Sequence, residues 1–318
     1  MKKLVIVLAG LLAASLAAAQ DYPSRPIRVV VPYSAGGSSD GPMRAIAQQM
    51  SRQLGQQMFV ENKPGQGAML GSADVVKAPP DGYTLLLASN PNAISASLYS
   101  KLTHDPVNDF EPITLLNYEQ AVLLVHPSVP VRTVQEFVAY VKQRPGKVDY
   151  SSSGNGSAQH LFMALFSSMA GIQLNHIPYR GSAQAVTDLL GGQVSAQMPG
   201  LAAMRPHIRE GRARALAVTG AKRSPAMPDI PTLAESGFKD YEAYVWNGML
   251  APKGTPKAII ERLQREFAEA QRTPAVKAFM DNAAIEVVSS TPAQFGAFFQ
   301  EEKARWAKII KETGARID

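Results

Sequence analysis

The chain has 318 residues, a formal net charge of +6 and no cysteine. That length suits two domains, and the missing cysteine excludes disulfides and a lipid-modified N-terminal Cys. Lysines and arginines are scattered along the chain, so the basic balance reads as mild attraction for anionic ligands and not as a nucleic-acid footprint.

The first nineteen residues read as a cleavable export signal. Lys2 and Lys3 form a basic start, Leu4 to Leu16 an apolar run, and Ala17-Ala18-Ala19 a small-residue cleavage site. The mature protein is expected to begin at Gln20, exported and soluble, with a formal charge of +4 once the two lysines are removed. The run is too short for a membrane anchor, and no later stretch is long and apolar enough to span a bilayer.

The stretch from Arg28 to Met50 organises the mature chain. Val29-Val30-Val31 reads as a buried strand, which Pro32 ends because it has no N–H to donate. Tyr33 leads into the small-residue loop Ser34-Ala35-Gly36-Gly37-Ser38-Ser39. Asp40 is an expected N-cap, and Met43, Ile46, Ala47 and Met50 then recur at helical spacing. A strand, a glycine loop and a helix N-terminus in that order suit an anion, because loop amides and free helix N–H groups converge there. The loop lacks the Gly-Lys-Ser/Thr ending of nucleotide hydrolases. Gly37 to Gly41 does match G-x-S-x-G, so a secreted serine hydrolase with Ser39 as nucleophile stands as an alternative, beside an ordinary turn with no ligand.

Apolar β runs then alternate with helical patterns, which argues an α/β protein with mainly parallel sheets. Met58 to Val60 is a strand, Gly71 to Lys77 a helix and Tyr83 to Ala88 a strand. Ser89-Asn90-Pro91-Asn92 comes next as a turn, at a strand end where ligands of open α/β sheets bind. Pro112 to Leu116 and Ala121 to His126 are two extended runs where the chain crosses to a second domain. Thr133 caps a helix to Lys142, with Glu136 completing a capping box. Val148 to Ser151 leads into a second glycine loop, Ser152-Ser153-Gly154-Asn155-Gly156-Ser157. There Ser157 caps the next helix and Gln159 stands where a dinucleotide fingerprint needs glycine. Strands at Asn175 to Pro178, Val194 to Met198 and Gly211 to Thr219 alternate with helices at Ala183 to Leu190 and Ala202 to Arg209. Pro225, Pro228 and Pro231 mark an irregular return. Tyr244 to Ala251 is a strand, and helices at Lys257 to Ala270 and Pro292 to Lys311 close the chain, the last with Phe295, Phe298, Phe299 and Trp306 as its apolar stripe.

Two glycine loops on two domains suggest two jaws presenting backbone N–H groups to one anion. Neither loop contains Lys or Arg. The N–H groups of Gly36, Gly37, Gly156 and Ser157 are therefore expected to supply most of the recognition, assisted by the hydroxyls of Ser38, Ser153 and Ser157. His160 either touches the ligand or orients its loop. Arg180 reads as a structural salt bridge in preference to a ligand contact. His104, His126, His160, His176 and His207 show no metal-ligand spacing, and no metal or cofactor is expected. Ala88 to Asn92, Asn117 to Val122 and Ala217 to Ser224 are expected near the cleft or its hinges.

RPIRVVVPYSAGGSSD, APPDGYTLLLASN, SSGNGSAQHL, HIPYRGSAQAVTDLLGGQV and LAPKGTPKAII together resemble the Bug-type periplasmic solute-binding proteins of tripartite tricarboxylate transporters. The resemblance runs from about Tyr22 to Asp318. It implies a type II periplasmic-binding fold, with two lobes joined by two crossing strands: residues 20–119 and 220–318 in one, 120–219 in the other. It implies a small organic carboxylate as ligand, membrane transporter components as partners, a monomer in the periplasm, and no enzymatic activity. A binding partner of a signalling kinase is the remaining alternative. Carried over residue by residue, the site comprises Tyr33, Ser34, Gly36, Gly37, Ser38, Asp40, Ser89, Asn90, Ser153, Asn155, Gly156, Ser157 and His160. After GGQV the chain reads Ser195-Ala196-Gln197-Met198-Pro199-Gly200 in place of the family's hydrophobic-Phe-Asp pattern, so the ligand does not transfer from a relative.

Overall fold

The computed structural model describes residues 22–99 and 101–313; the expected export signal lies outside the described residues. The chain builds two sheets. The first is six-stranded and made of β1 (Ile27–Val31), β2 (Met58–Asn62), β3 (Thr84–Ser89), β4 (Phe110–Gln120), β10 (Tyr244–Pro252) and β11 (Ile285–Val287), in the order β11-β4-β10-β3-β1-β2. The second is five-stranded, in the order β7-β6-β8-β5-β9. Its strands are β5 (Val122–Val125), β6 (Asp149–Ser152), β7 (Asn175–Pro178), β8 (Ala196–Gln197) and β9 (Arg214–Val218).

β1 shows why its apolar run is continuous. Val29 and Val31 pack on one face against Met43, Ile46, Ala47 and Met50 of helix α1 (Asp40–Leu54). Val30 faces the other way, into a core shared with Val75 of α2 (Met69–Val76) and Ile94 of α3 (Asn90–Leu98). A strand covered on both faces has no polar side to alternate.

Parallel pairing is confined to the crossover cores, β1 with β2 and β3, and β6 with β7 and β8. Around these cores the strands run antiparallel, β10 with β3 and β4, β11 with β4, and β5 with β8 and β9. The sheets are therefore mixed, because strands passing between them return against the direction of the core. β4 leads into β5 through the single residue Ala121, and the return path leaves β9 at Thr219. There Thr219 N–H donates to the Ala121 carbonyl (3.0 Å), and Ala121 N–H donates to Thr219 Oγ1 (2.8 Å).

The remaining helices are α4 (Val134–Lys142), α5 (Ala158–Ala170), α6 (Ser182–Leu190), α7 (Leu201–Arg209), α8 (Lys257–Arg272), α9 (Pro274–Ala283) and α10 (Pro292–Thr313). Thr133 and Glu136 form the expected capping box of α4, and Ser157 Oγ accepts the His160 N–H at the head of α5. α10 lies along the first sheet and reaches the second lobe, where Trp306 stacks on Phe162 of α5 at 5.7 Å. Its buried Glu302 accepts the indole N–H of both Trp246 and Trp306, each at 2.9 Å.

Besides strand direction, where the expected mainly parallel sheets are mixed, three readings change. Ser89 to Asn92 is not a free turn: α3 starts at Asn90, with Ser89 as N-cap and Pro91 in the first turn. The segment between α8 and α10 holds α9 and the short β11. The strand expected at Val194 to Met198 contracts to Ala196–Gln197.

Gly248 of β10 has no room for a side chain, since a Cβ there would stand 2.1 Å from the ring of the fully buried Phe295. Gly248→Ala should therefore cost about 1–3 kcal/mol by overpacking. In urea denaturation this appears as a lower midpoint at unchanged slope.

Candidate ligand-binding site

Helices follow directly on the C-terminal ends of strands around the two glycine loops: α1 after β1, α3 after β3, α5 after β6, α6 after β7 and α7 after β8. The first glycine loop, between β1 and α1, is held by Asp40. Helix α1 begins at Asp40 itself, so this side chain is not the N-cap but turns back on the loop. Its Oδ2 accepts the Gly36 N–H (3.0 Å) and Arg44 Nε (3.0 Å), and its Oδ1 accepts Asn62 Nδ2 (2.9 Å). Burial of Asp40 is outweighed by these donors, which hold its carboxyl below the usual range, so it stays anionic. A carboxylate engaged in this way braces the loop.

The second loop, between β6 and α5, is held by His160. Gly156 N–H donates to His160 Nδ1 (3.2 Å), so the neutral ring carries its proton on Nε2. The ring stacks on His176 at 4.1 Å, and His176 stacks on Tyr150 at 4.8 Å. Burial lowers His160 to about 4, and burial with the neighbouring ring lowers His176 to about 3, so both are neutral at pH 7. His160 orients its loop, and its Nε2–H has no acceptor among the described residues.

Each glycine loop meets a loop of the opposite lobe. Gly181, at the head of α6, has φ +118° and lies against Ser34 of the first loop; a Cβ on Gly181 would stand 2.9 Å from Ser34 Oγ. Only glycine fits both that backbone and that approach. Gly67 of the first lobe likewise lies near the Asn155 carbonyl of the second loop, 3.8 Å from its would-be Cβ.

The N–H groups expected to hold the ligand are turned inward. Gly36 donates to Asp40, Gly37 to the Ser34 carbonyl (3.3 Å), Gly156 to His160 and Ser157 to the Gly154 carbonyl (3.2 Å). These bonds give each loop its shape, and the free donors are their neighbours. Among the described residues the N–H groups of Ser38 and Ser39 have no acceptor, and Ala158 and Gln159 occupy the first turn of α5, where N–H groups have no intrahelical partner. The half-buried side chains of Ser34, Ser38, Ser153 and Asn155 have no hydrogen-bond partner among the described residues either.

At the end of β3, the Asn90 amide donates to the Tyr244 carbonyl (3.0 Å) and accepts the Trp246 N–H (3.2 Å), tying α3 to β10. Asn92, in the first turn of α3, is better placed to meet a ligand. Its Oδ1 accepts Tyr33 OH (3.1 Å) and the Ser89 N–H (3.1 Å), while its buried Nδ2 is unpartnered. Asn117 Nδ2, Asn247 Oδ1, Gln197 Oε1 and Glu119 Oε2 are also buried without partners, and a buried polar atom costs about 1–3 kcal/mol until water or ligand satisfies it. Asn247 pairs in register with both Ser89 and Asn117, so this polar row runs from the end of β3 toward the crossing strands.

Glu119 is the titratable group of that row. It is the penultimate residue of β4, fully buried, and accepts the Ala202 N–H of α7 at 3.0 Å. It thus caps a second-lobe helix from a first-lobe strand. A Cβ on Gly200 would stand 2.4 Å from Glu119 Oε1, so the helix reaches the carboxyl only because residue 200 is glycine. Burial pushes the Glu119 carboxyl up to about 7. The sequence placed Glu119 within a stretch expected near the cleft or its hinges, but gave it no role of its own.

Ser39 has an ordinary helical backbone (φ −86°, ψ −25°), unlike the strained elbow of a nucleophile. The five histidines bond to other groups: His104 to Ser72, His126 to Ser128, His160 to Gly156, His176 to Ser152 and His207 to Arg212. Arg180 is exposed and has no ion pair among the described residues, so the structural salt bridge expected for it does not form. It stands beside Gly181 at the rim where the loops meet. Among the described residues no cluster of three or more His, Asp or Glu could hold a metal.

The family model described as "Tripartite tricarboxylate transporter family receptor" matches residues 43–315. The chain belongs to the TctC family. Its relative BugT of Bordetella pertussis is 38% identical over 302 residues, covering 94% of this chain and 92% of BugT. Among solved structures, an R. palustris protein with adipate superposes with TM-score 0.89 at 33% identity, covering 93% of this chain and 99% of that one. The periplasmic binding protein BugD gives 0.87 at 35% identity, with 93% and 99% covered. MatC of Rhodopseudomonas palustris with bound malate gives 0.86 at 29% identity, with 91% and 100% covered. The chain is accordingly a solute-binding receptor with the two-lobed type II architecture of these proteins.

Glu119 gives a pH dependence of defined sign. A carboxyl whose folded value is raised stabilises the fold fully below its ordinary value of 4.5, and that contribution is lost as pH rises through about 7. His160 and His176, lowered by burial, act oppositely and cost stability as pH falls below 6.5. The comparison is therefore wild type against Glu119→Gln at each pH. Between pH 5 and 8.5 the wild type should lose about 3 kcal/mol relative to the variant, measured by urea denaturation.

Proposed function

We propose that this receptor captures a small organic carboxylate between its two lobes and delivers it to the membrane components of a tripartite tricarboxylate transporter. The observation that carries this reading is the first glycine loop, which meets the second lobe at Gly181 through Ser34, with unsatisfied donors on it and on the second glycine loop. Carboxylate binding by the adipate- and malate-bound relatives supports it. The lobes divide at 119/120 and 219/220. The first lobe contributes Ser34, Ser38, the N–H groups of Ser38 and Ser39, and Asn92. The second contributes Ser153, Asn155, the N–H groups at the head of α5, and His160 Nε2–H. Asp40, Gly36, Gly37, Gly156 and Ser157 shape the loops, and Tyr33, Ser89 and Asn90 fix the end of β3.

A hydrogen bond to a charged group is worth about 1.5–3 kcal/mol, so several neutral donors hold a carboxylate without an arginine inside the cleft. Arg180 at the rim attracts the anion on approach. The protein works as an exported periplasmic monomer and performs no covalent chemistry.

A thermal-shift screen over mono-, di- and tricarboxylates tests this. A cognate carboxylate at 100 times its Kd should stabilise by about 2.7 kcal/mol. Asn155→Ala should weaken it at least tenfold. Arg180→Ala should slow association at low salt and leave dissociation unchanged, and Ser39→Ala should still bind. A screen in which no carboxylate shifts the transition, with a neutral or cationic solute doing so, would overturn the reading.

A further inference from the structure

We propose a second binding site, for a small organic ammonium cation, in the pocket formed by β4, β10, β11 and α10. The pocket has a volume of about 390 Å³ and is lined by Tyr118, Tyr244, Trp246 and Phe298 together with Glu242, Glu286, Glu302 and Arg305. It shares no residue with either glycine loop. Four aromatic rings and three carboxylates converge there on a chain whose overall charge is positive.

The rings stand as the walls of a box. Phe298 meets Tyr118 and Trp246 edge-on, at 5.7 and 5.4 Å, and Tyr118 lies 5.6 Å from Tyr244 at a tilt of 50°. Ring faces set at angles around a cavity attract a cation through their quadrupoles, the more so when water is excluded. Arg305 does not fill this role. It lines the same pocket, but its guanidinium is engaged by Glu302 Oε1 (3.3 Å) and the Glu242 carbonyl and lies over the Trp306 ring. Glu302 is committed to Arg305 and the two indoles. Glu242 and Glu286 remain at the mouth, exposed and without a cationic partner among the described residues. Burial, then the charges of Glu302 and Glu286, push the Tyr118 hydroxyl up to about 12, as expected of a negative field in the pocket. A carboxylate would be repelled here, so the site is chemically distinct from the inter-lobe cleft.

The test is calorimetry on the full mature chain with choline and tetramethylammonium, using 3,3-dimethylbutan-1-ol as the neutral isostere of choline. Trp246 fluorescence is followed in parallel. Saturable binding of both cations is expected, at least tenfold tighter than the alcohol and weakened at least tenfold in the Glu242→Gln/Glu286→Gln double variant. Both glutamates are exposed, so the variant should fold, and its thermal transition and carboxylate affinity should match the wild type. No saturable binding of either cation would overturn the proposal. So would equal affinity for the alcohol, or undiminished cation binding in the double variant.

Discussion

The two sheets are joined where their crossing strands touch, Ala121 against Thr219, through backbone and Thr219 hydroxyl hydrogen bonds. A rotation of one sheet relative to the other would turn about this point. The glycine loops lie at strand ends on the facing sides of the two sheets, so a small rotation at the crossing is a larger displacement at Ser34 and Gly181. The proline-rich return path supports the same place: Val218 N–H donates to the Pro231 carbonyl (2.8 Å), Leu233 N–H to the Val218 carbonyl (2.9 Å), and Ala243 N–H to the Thr219 carbonyl (3.0 Å). Helix α10 adds an apolar contact across the lobes through Trp306 and Phe162.

The loops have a division of labour imposed by hydrogen-bond counting. A backbone N–H can shape a loop or hold a ligand, rarely both. Gly36, Gly37, Gly156 and Ser157 shape, and in doing so they orient neighbouring donors outward. The shaping acceptors are themselves fixed at a distance, Asp40 by Arg44 and Asn62, His160 by its stack on His176. Ligand recognition by neutral donors, as proposed above, would suit a receptor that must also release, because no buried ion pair would have to be broken.

Much of this was legible in the chain because it is local. The Thr133 and Glu136 box, the Ser157 cap, the buried run of β1 and both glycine loops are written within a few residues of one another. The roles within the loops were not, since they depend on partners far along the chain. Asp40 is a brace because Asn62 lies beside it, and Asn90 is a tie because β10 returns past it. Glu119 reads as any polar strand residue until α7 packs on it. The start of α3 was missed because Asn and Pro favour both turns and first helical turns, and only the strand position of Ser89 decides between them.

Closure of the jaws on an anion held between them is tested most directly by a distance measurement across the cleft. The chain has no cysteine, so spin labels on Gln48→Cys in α1 and Gln184→Cys in α6 attach at those two exposed positions alone. Each label rides a helix that starts at one jaw. In pulsed electron resonance, a saturating carboxylate that stabilises the protein should collapse a broad, longer distribution into one narrow, shorter distance. An unchanged distribution, with the same carboxylate bound by calorimetry, would contradict closure on the ligand.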